Sequence, residues 1–407
     1  MKAALSVAFL FCLLVVTQAD AQTTAYYQLT PFPLKKSDGS AMPQDLEKIH
    51  LWDGWLPSYY YGQTLQRDDK LQMGGWGDVY ETYIKFDLNG LPANPSAVTI
   101  WFKAYNRGDS STTTPLAFCK VGGSWNLSLT WSARPSFLTC AGWFDAPIAG
   151  GWWGVDFTPW YAEWKNGTVT NNGIALSPEY NNNNFDVLRS SRYTTNDGDR
   201  PYLEFTFTQP SGMPSFKMPV PGGAKWLLTN EIGGYECMGE SPWPDPYHQG
   251  SNYYAIDISP TNVKDGGGSY TGNIPVIAAA GGYVKTVSYT DANGYYVVID
   301  HDGDGNLGTG FSTRYLHLQS NVVVVQNSTV AQGDLLGYMG NTGNPTTGTH
   351  LHFGIRYADS GSSSVSQLSY VVMDGWLMKS FQTECAVNSS GVPTSRIRYY
   401  HSTNRTY

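Results

Sequence analysis

The residue types best suited to chemistry gather in the second half of the chain. His350 and His352 stand two apart in Thr349-His350-Leu351-His352-Phe353. In an extended strand they share one face while Leu351 and Phe353 enter a core. Two imidazoles on one face can address a single metal-centred site. His317 stands in Tyr315-Leu316-His317-Leu318, and Asp257 closes Tyr253-Tyr254-Ala255-Ile256-Asp257, with the same alternation. Zinc takes nitrogen and carboxylate ligands in tetrahedral geometry, and a catalytic site keeps one position for water. Three ligands and a nearby base would suffice for hydrolysis. The plainer reading of such histidines is a pair of buried, hydrogen-bonded core residues.

A second cluster, Asp300-x-Asp302-x-Asp304-Gly305, begins like a calcium loop with oxygen ligands at alternate positions. Its twelfth position is Phe311, where a bidentate carboxylate is expected, and no helical pattern flanks it. A polar hairpin tip accounts for the same letters and is preferred. Calcium is kept as the secondary reading.

The elements that must position these residues are strands. Short alternating runs such as 83–88 and 202–207 recur, and no long amphipathic helix pattern is found. Charged residues make up 14% of 407, well below the usual quarter, while 44 Gly, 28 Tyr and 14 Trp are plentiful. The expectation is an all-β protein. Eleven Trp precede residue 210 and six of seven His follow it. The Pro- and Gly-dense stretch 210–225 divides the two compositions and reads as a linker. With net charge -8 there is no basic footprint for nucleic acid.

Residues 1–21 carry Lys2, an apolar run from Ala3 to Val16, and Ala19-Asp20-Ala21, the pattern of a cleavable signal peptide. The run is short for a membrane span, and no later stretch supplies one. A secreted or periplasmic protein follows, without an integral membrane span. Cys119, Cys140, Cys237 and Cys385 then remain, an even number in an oxidising compartment. Three pairings exist. Cys119–Cys140 with Cys237–Cys385 is preferred, since each pair stays within one half.

The strings "YHQGSNYYAIDIS", "GYYVVIDHDGDG", "TRYLHLQS" and "GNTGNPTTGTHLHFGIRY" resemble, in order and content, the lysostaphin-type zinc metallopeptidases. These are peptidoglycan endopeptidases built on a duplicated hybrid motif. The resemblance covers 243–357 of a domain placed at 226–407, and implies a β-sheet or barrel-like fold. It makes His248, Asp257 and His352 the zinc ligands. His350 becomes the general base toward the attacking water, and His317 orients that water or stabilises the oxyanion. One departure is the spacing of His248 and Asp257, nine residues instead of the common four, with His301 and His401 as substitutes. Residues 22–209, through "ETYIKFDLNGLP", "VDFTPWYAEWKNG" and "DRPYLEFTF", resemble DNRLRE β-sandwich modules, which implies a jelly-roll-like sandwich.

The aromatic residues of the first half divide between packing and sugar contact. Trp101, Trp125, Trp131 and Trp160 are expected in the core. Trp52, Trp55, Tyr59, Tyr60 and Tyr61 in one loop, and Trp152-Trp153, are candidate glycan platforms. The combined expectation is a secreted zinc endopeptidase acting on cell-wall peptidoglycan, with peptidoglycan or glycan as partner. The alternatives are a zinc protease of protein substrates and a non-catalytic cell-wall or glycan-binding protein. No sequence feature fixes an oligomeric state.

Overall fold

The computed structural model describes residues 22–28, 52–107, 114–145, 150–179, 184–238, 244–344, 348–359, 362–363, 368–390 and 392–407. Residues 1–21, read from the sequence as a signal peptide, lie outside them. Among the described residues no helix is long and apolar enough to cross a membrane. The architecture is β throughout, as expected, with one α-helix, Thr158–Lys165, among the described residues.

The first half is a sandwich. One layer pairs Gln22–Gln28 with Tyr202–Thr208, and that strand with Ala97–Arg107. The other carries Asn184–Arg189, Lys70–Gly75, Tyr80–Lys85, Ile174–Pro178, Pro115–Val121 and Phe137–Asp145 in that order. Ala97–Arg107 is long enough to pair into both layers, through a register shift opposite Val187 and Leu188. Tyr202–Thr208 buries every second residue, as a strand with one solvent face should. Leu203, Phe205 and Tyr27 from one layer meet Leu71, Ile84 and Phe118 from the other in one core. Burying an aromatic or aliphatic side chain of this kind contributes about 1.5–3 kcal/mol.

The second half is an open antiparallel sheet, not a closed barrel. Its order is Thr329–Val330, Gly282–Thr290, Gly294–Asp300, Gly310–Leu318, Leu351–Asp359, Ala255–Lys264, Ala224–Asn230 and Tyr399–Ser402. The Pro/Gly segment read as a linker is packed in part. Phe216, Met218 and Val220 are buried in the core of this half, and Lys217 N–H donates to the Ala279 carbonyl at 2.9 Å.

The halves also interlock. Trp376 pairs with Tyr26 in parallel, extending the first sandwich layer with a strand from the second half. Leu377 joins the sandwich core. Arg200 is buried and meets both carboxylate oxygens of Glu384, one of them at 2.9 Å, while Lys379 pairs with Asp87. Both preferred disulfides are present. Cys119–Cys140 staples adjacent strands, and Cys237–Cys385 closes a separation of 148 residues within the second half.

Candidate metal centre

Asp257 and His352 come from two neighbouring interior strands of the second sheet, where they are directly paired in the register. Asp257 Oδ1 is 3.0 Å from His352 Nδ1. His248 ends a short 3-10 turn, Pro246–His248, capped by the Asp245 carboxylate accepting from Tyr247 N–H at 2.9 Å. A second turn, Gly250–Asn252, then returns the chain to the Ala255 strand. The long spacing from His248 to Asp257 is thus taken up by two turns. His248 Nε2 ends 3.1 Å from Asp257 Oδ2. The three residues are all buried, and their ligand atoms lie within 4.8 Å of one another.

The donor set fits a cation. His248 Nδ1 faces the Ala255 carbonyl at 3.0 Å. A carbonyl only accepts, so Nδ1 carries the proton and Nε2 is left bare in the neutral ring. That bare nitrogen points at a carboxylate oxygen, which is also an acceptor. A proton or a cation must lie between them. Asp257 Oδ1 is buried and makes no well-directed hydrogen bond despite its closeness to His352. A buried carboxylate oxygen without a donor is costly unless a positive charge meets it.

Electrostatics follow the same geometry. Burial alone would raise the Asp257 carboxyl, but His248 and His352 hold it well below the usual carboxylate range. Burial would lower His248, and Asp257 outweighs it to raise the imidazole. His352 is lowered by burial, with Asp257 opposing. Burial, with the neighbouring His350 and His352 adding to it, lowers His317 to about 4 against the Thr342 carbonyl.

His350 and His317 stand beside this group. His350 precedes the Leu351–Asp359 strand instead of lying in it, held by a bridge to Gly340. Its Nδ1 faces the Gly348 carbonyl at 2.8 Å, and its Nε2 is 3.9 Å from Asp257 Oδ1. His317 has φ 63°, in the left-handed region. Strict alternation would send it into the core with Tyr315. The positive φ turns it instead toward His350, with ring centroids 4.9 Å apart. Its Nδ1 faces the Thr342 carbonyl at 2.9 Å.

The two substitute histidines are engaged elsewhere. His301 spans the Gly281 carbonyl and the Thr313 hydroxyl, at 2.8 and 2.9 Å, and His401 pairs with Asp265. Asp300, Asp302 and Asp304 do converge, at a hairpin tip. Asp304 accepts there from Asn306 N–H and the Thr309 hydroxyl, at 2.6 and 3.0 Å, and Phe311 is buried in the following strand. Asp245, 3.9 Å from His248 Nε2, was not anticipated. The Asp-Pro start of a capped turn just before His248 is the signal that could have found it.

Residues 268–364 match the model of peptidase family M23, and residues 60–216 match carbohydrate-binding module family 96. The second half carries an M23 peptidase domain. The first half's label is the carbohydrate-binding one, and the match does not support the narrower DNRLRE resemblance. The chain is 40% identical over 79 residues to the peptidoglycan DD-endopeptidase ShyC of Vibrio cholerae, a stretch covering 19% of this chain and 16% of that protein. Among solved structures, LytU is similar at 26% identity over 34% of this chain and 80% of its own, with a TM-score of 0.25. The catalytic domain of the M23 protein EnpA from Enterococcus faecalis is similar at 19% identity over 39% and 96%, with a TM-score of 0.25.

The aromatic candidates of the sandwich separate clearly. Trp55 lies on the Trp52–Pro57 strand and is only 2% exposed, so it is core and not loop. Trp125 is buried too, whereas Tyr59 is 70% and Trp152 36% exposed. Trp152 is flanked by Tyr202 and by Lys103 over its ring. The side chains of Trp52, Tyr60 and Tyr61 lie outside the described residues.

Proposed function

We propose that the M23 domain is a secreted zinc endopeptidase that hydrolyses peptide bonds of bacterial peptidoglycan, with the sandwich as a glycan-binding accessory. His248, Asp257 and His352 would hold the metal, which when bound lowers the pKa of water and polarises a carbonyl. The observation carrying this reading is the convergence of these three buried donors, one oxygen of which has no other partner.

The remaining steps belong to the chain. With Nδ1–H donated to the Gly348 carbonyl, His350 offers a bare Nε2 to take a proton from the attacking water. His317 is fixed in the same tautomer by Thr342, so its Nε2 accepts as well. This favours orienting the water over donating to an oxyanion. His350, once protonated, supplies the proton that the leaving amine needs.

The test is a comparison of substrates. Zinc-loaded protein should release peptide fragments from purified sacculi, identified by mass spectrometry, and leave casein intact. Cleavage of casein with untouched sacculi would favour the alternative, a protease of protein substrates.

A further inference from the structure

The face of the sheet that carries the metal group continues beyond it. The registers pair Asp257 with His352 and His352 with Leu316, then Ala255 with Gly354 and Gly354 with Arg314, and finally Arg356 with Ser312. Side chains two apart on a strand share a face. Arg314 and Arg356 therefore stand on the same face as Asp257 and His352. At about 3.3 Å per residue, Arg314 lies level with a point roughly 7 Å from His352 along the strands, and Arg356 roughly 13 Å away. Gly354, without a side chain, and Ala255, whose Cβ is small, share the row of Arg314 and separate Arg356 from the metal group. A Cβ built on Gly354 would meet only Ala255, at 3.5 Å. The floor beside Arg314, between the metal group and Arg356, is correspondingly low.

Neither guanidinium has an acidic partner among the described residues. Arg314 Nε is buried with no hydrogen-bond partner. Arg356 donates to Asn252 Oδ1, in the turn between His248 and Asp257. Burial lowers Arg314, and burial together with Arg314 lowers Arg356 to about 10; a guanidinium keeps its charge in proteins at neutral pH. Two like charges held together without a counter-ion are unfavourable in a fold and favourable for an anionic ligand. The planar fork of a guanidinium matches a carboxylate in two parallel hydrogen bonds.

We propose that Arg314 and Arg356 form a subsite for a free carboxylate of the substrate, placed about 7–13 Å along the sheet from the scissile bond. The substrate class is then an acidic peptide whose carboxylate sits two to four residues' length from the bond cut. Specificity for that class comes from leaving the two cations unpaired when a neutral substrate binds. This rests on the peptidase reading for its substrate, but the subsite can be tested apart from it.

The probes are soluble muropeptides in two forms, with free carboxylates and with the same carboxylates converted to amides. Calorimetry should show the zinc-loaded wild type binding the acid form at least tenfold more tightly. Arg314→Gln with Arg356→Gln should bind both forms alike, with zinc content and circular dichroism unchanged. On cleavage, amidation should raise KM for the wild type and leave it unmoved for the variant. Equal affinity of the wild type for the two forms, or a preference surviving in the double variant, overturns the subsite. A wild type that prefers the acid form yet cleaves neither spares the subsite and overturns the substrate reading.

Discussion

Asp257 and His352 face each other across neighbouring antiparallel strands, with Oδ1 and Nδ1 3.0 Å apart. Their pairing is a register property. A slip of one residue would send one of them into the core and separate the two donors. Because the Asp257 carboxylate touches both His248 and His352, it is the hub of the candidate metal group.

Replacing that hub should abolish metal binding. Asp257→Ala is expected to lose zinc and hydrolysis together, with the fold retained in circular dichroism. Asp257→Asn, nearly isosteric but neutral, should bind zinc weakly and partly recover activity at raised zinc. Full activity of Asp257→Ala would remove the carboxylate from the centre.

His317 should act on the reaction and not on the metal. His317→Ala is expected to keep its zinc and lose activity by about 100-fold, the scale of one positioned proton-transfer or polar group. Single-turnover rates would read the loss directly. A drop in zinc content matching the drop in rate would make His317 a ligand instead.

Glu384→Ala leaves the buried Arg200 charge unpaired, at the seam between the halves. The expected loss is about 3–5 kcal/mol in denaturant unfolding. The same seam bears on a protease cut made within 210–223. The two pieces should stay together in native buffer and separate in denaturant without reductant, since both disulfides are internal to a half. Pieces that stay joined in denaturant until reduced would contradict this connectivity.

His301 sets a pH dependence remote from the metal group. Burial pushes its imidazole down to about 4, against the pull of the Gly281 carbonyl and Asp302. The folded pKa is thus below the unfolded value of about 6.5. Stability from this neutral ring is full above about 6.5 and is lost as pH falls toward about 4, because the unfolded chain takes up the proton first. For a partly exposed ring we expect about 1–2 kcal/mol. Thermal melts at pH 7 and 4.5 should show a smaller pH effect in His301→Gln than in the wild type. An equal pH effect in both would assign the loss to other groups.

Strand alternation, a local rule that the letters carry, places Asp257 and His352 each on one face of a strand, whereas their grouping at one site came from the resemblance to the lysostaphin-type metallopeptidases. The all-β class and the two disulfides were legible for similar reasons of composition and compartment. His317 was harder. Its neighbours are apolar and its alternation points inward, and only a positive φ, set by tertiary packing, turns it to the site. The Nδ1 contacts of His350 and His317 are to backbone carbonyls, which every residue has, so no residue type announces them. The strand that Trp376 adds to the first sandwich is two residues long and crosses the boundary suggested by composition. No periodicity can be read from so short an element.

The measurement closest to the metal centre is elemental analysis of zinc-loaded protein, run beside fragment release from sacculi, for wild type, His248→Ala and His350→Ala. The wild type should hold a full equivalent of zinc and release peptides. His350→Ala should keep that equivalent and lose release by about 100-fold or more, because only the base is gone. His248→Ala should lose both. A His248→Ala protein that keeps a full equivalent of zinc, or a His350→Ala protein that releases peptides at the wild-type rate, would contradict the arrangement of three ligands and a separate base.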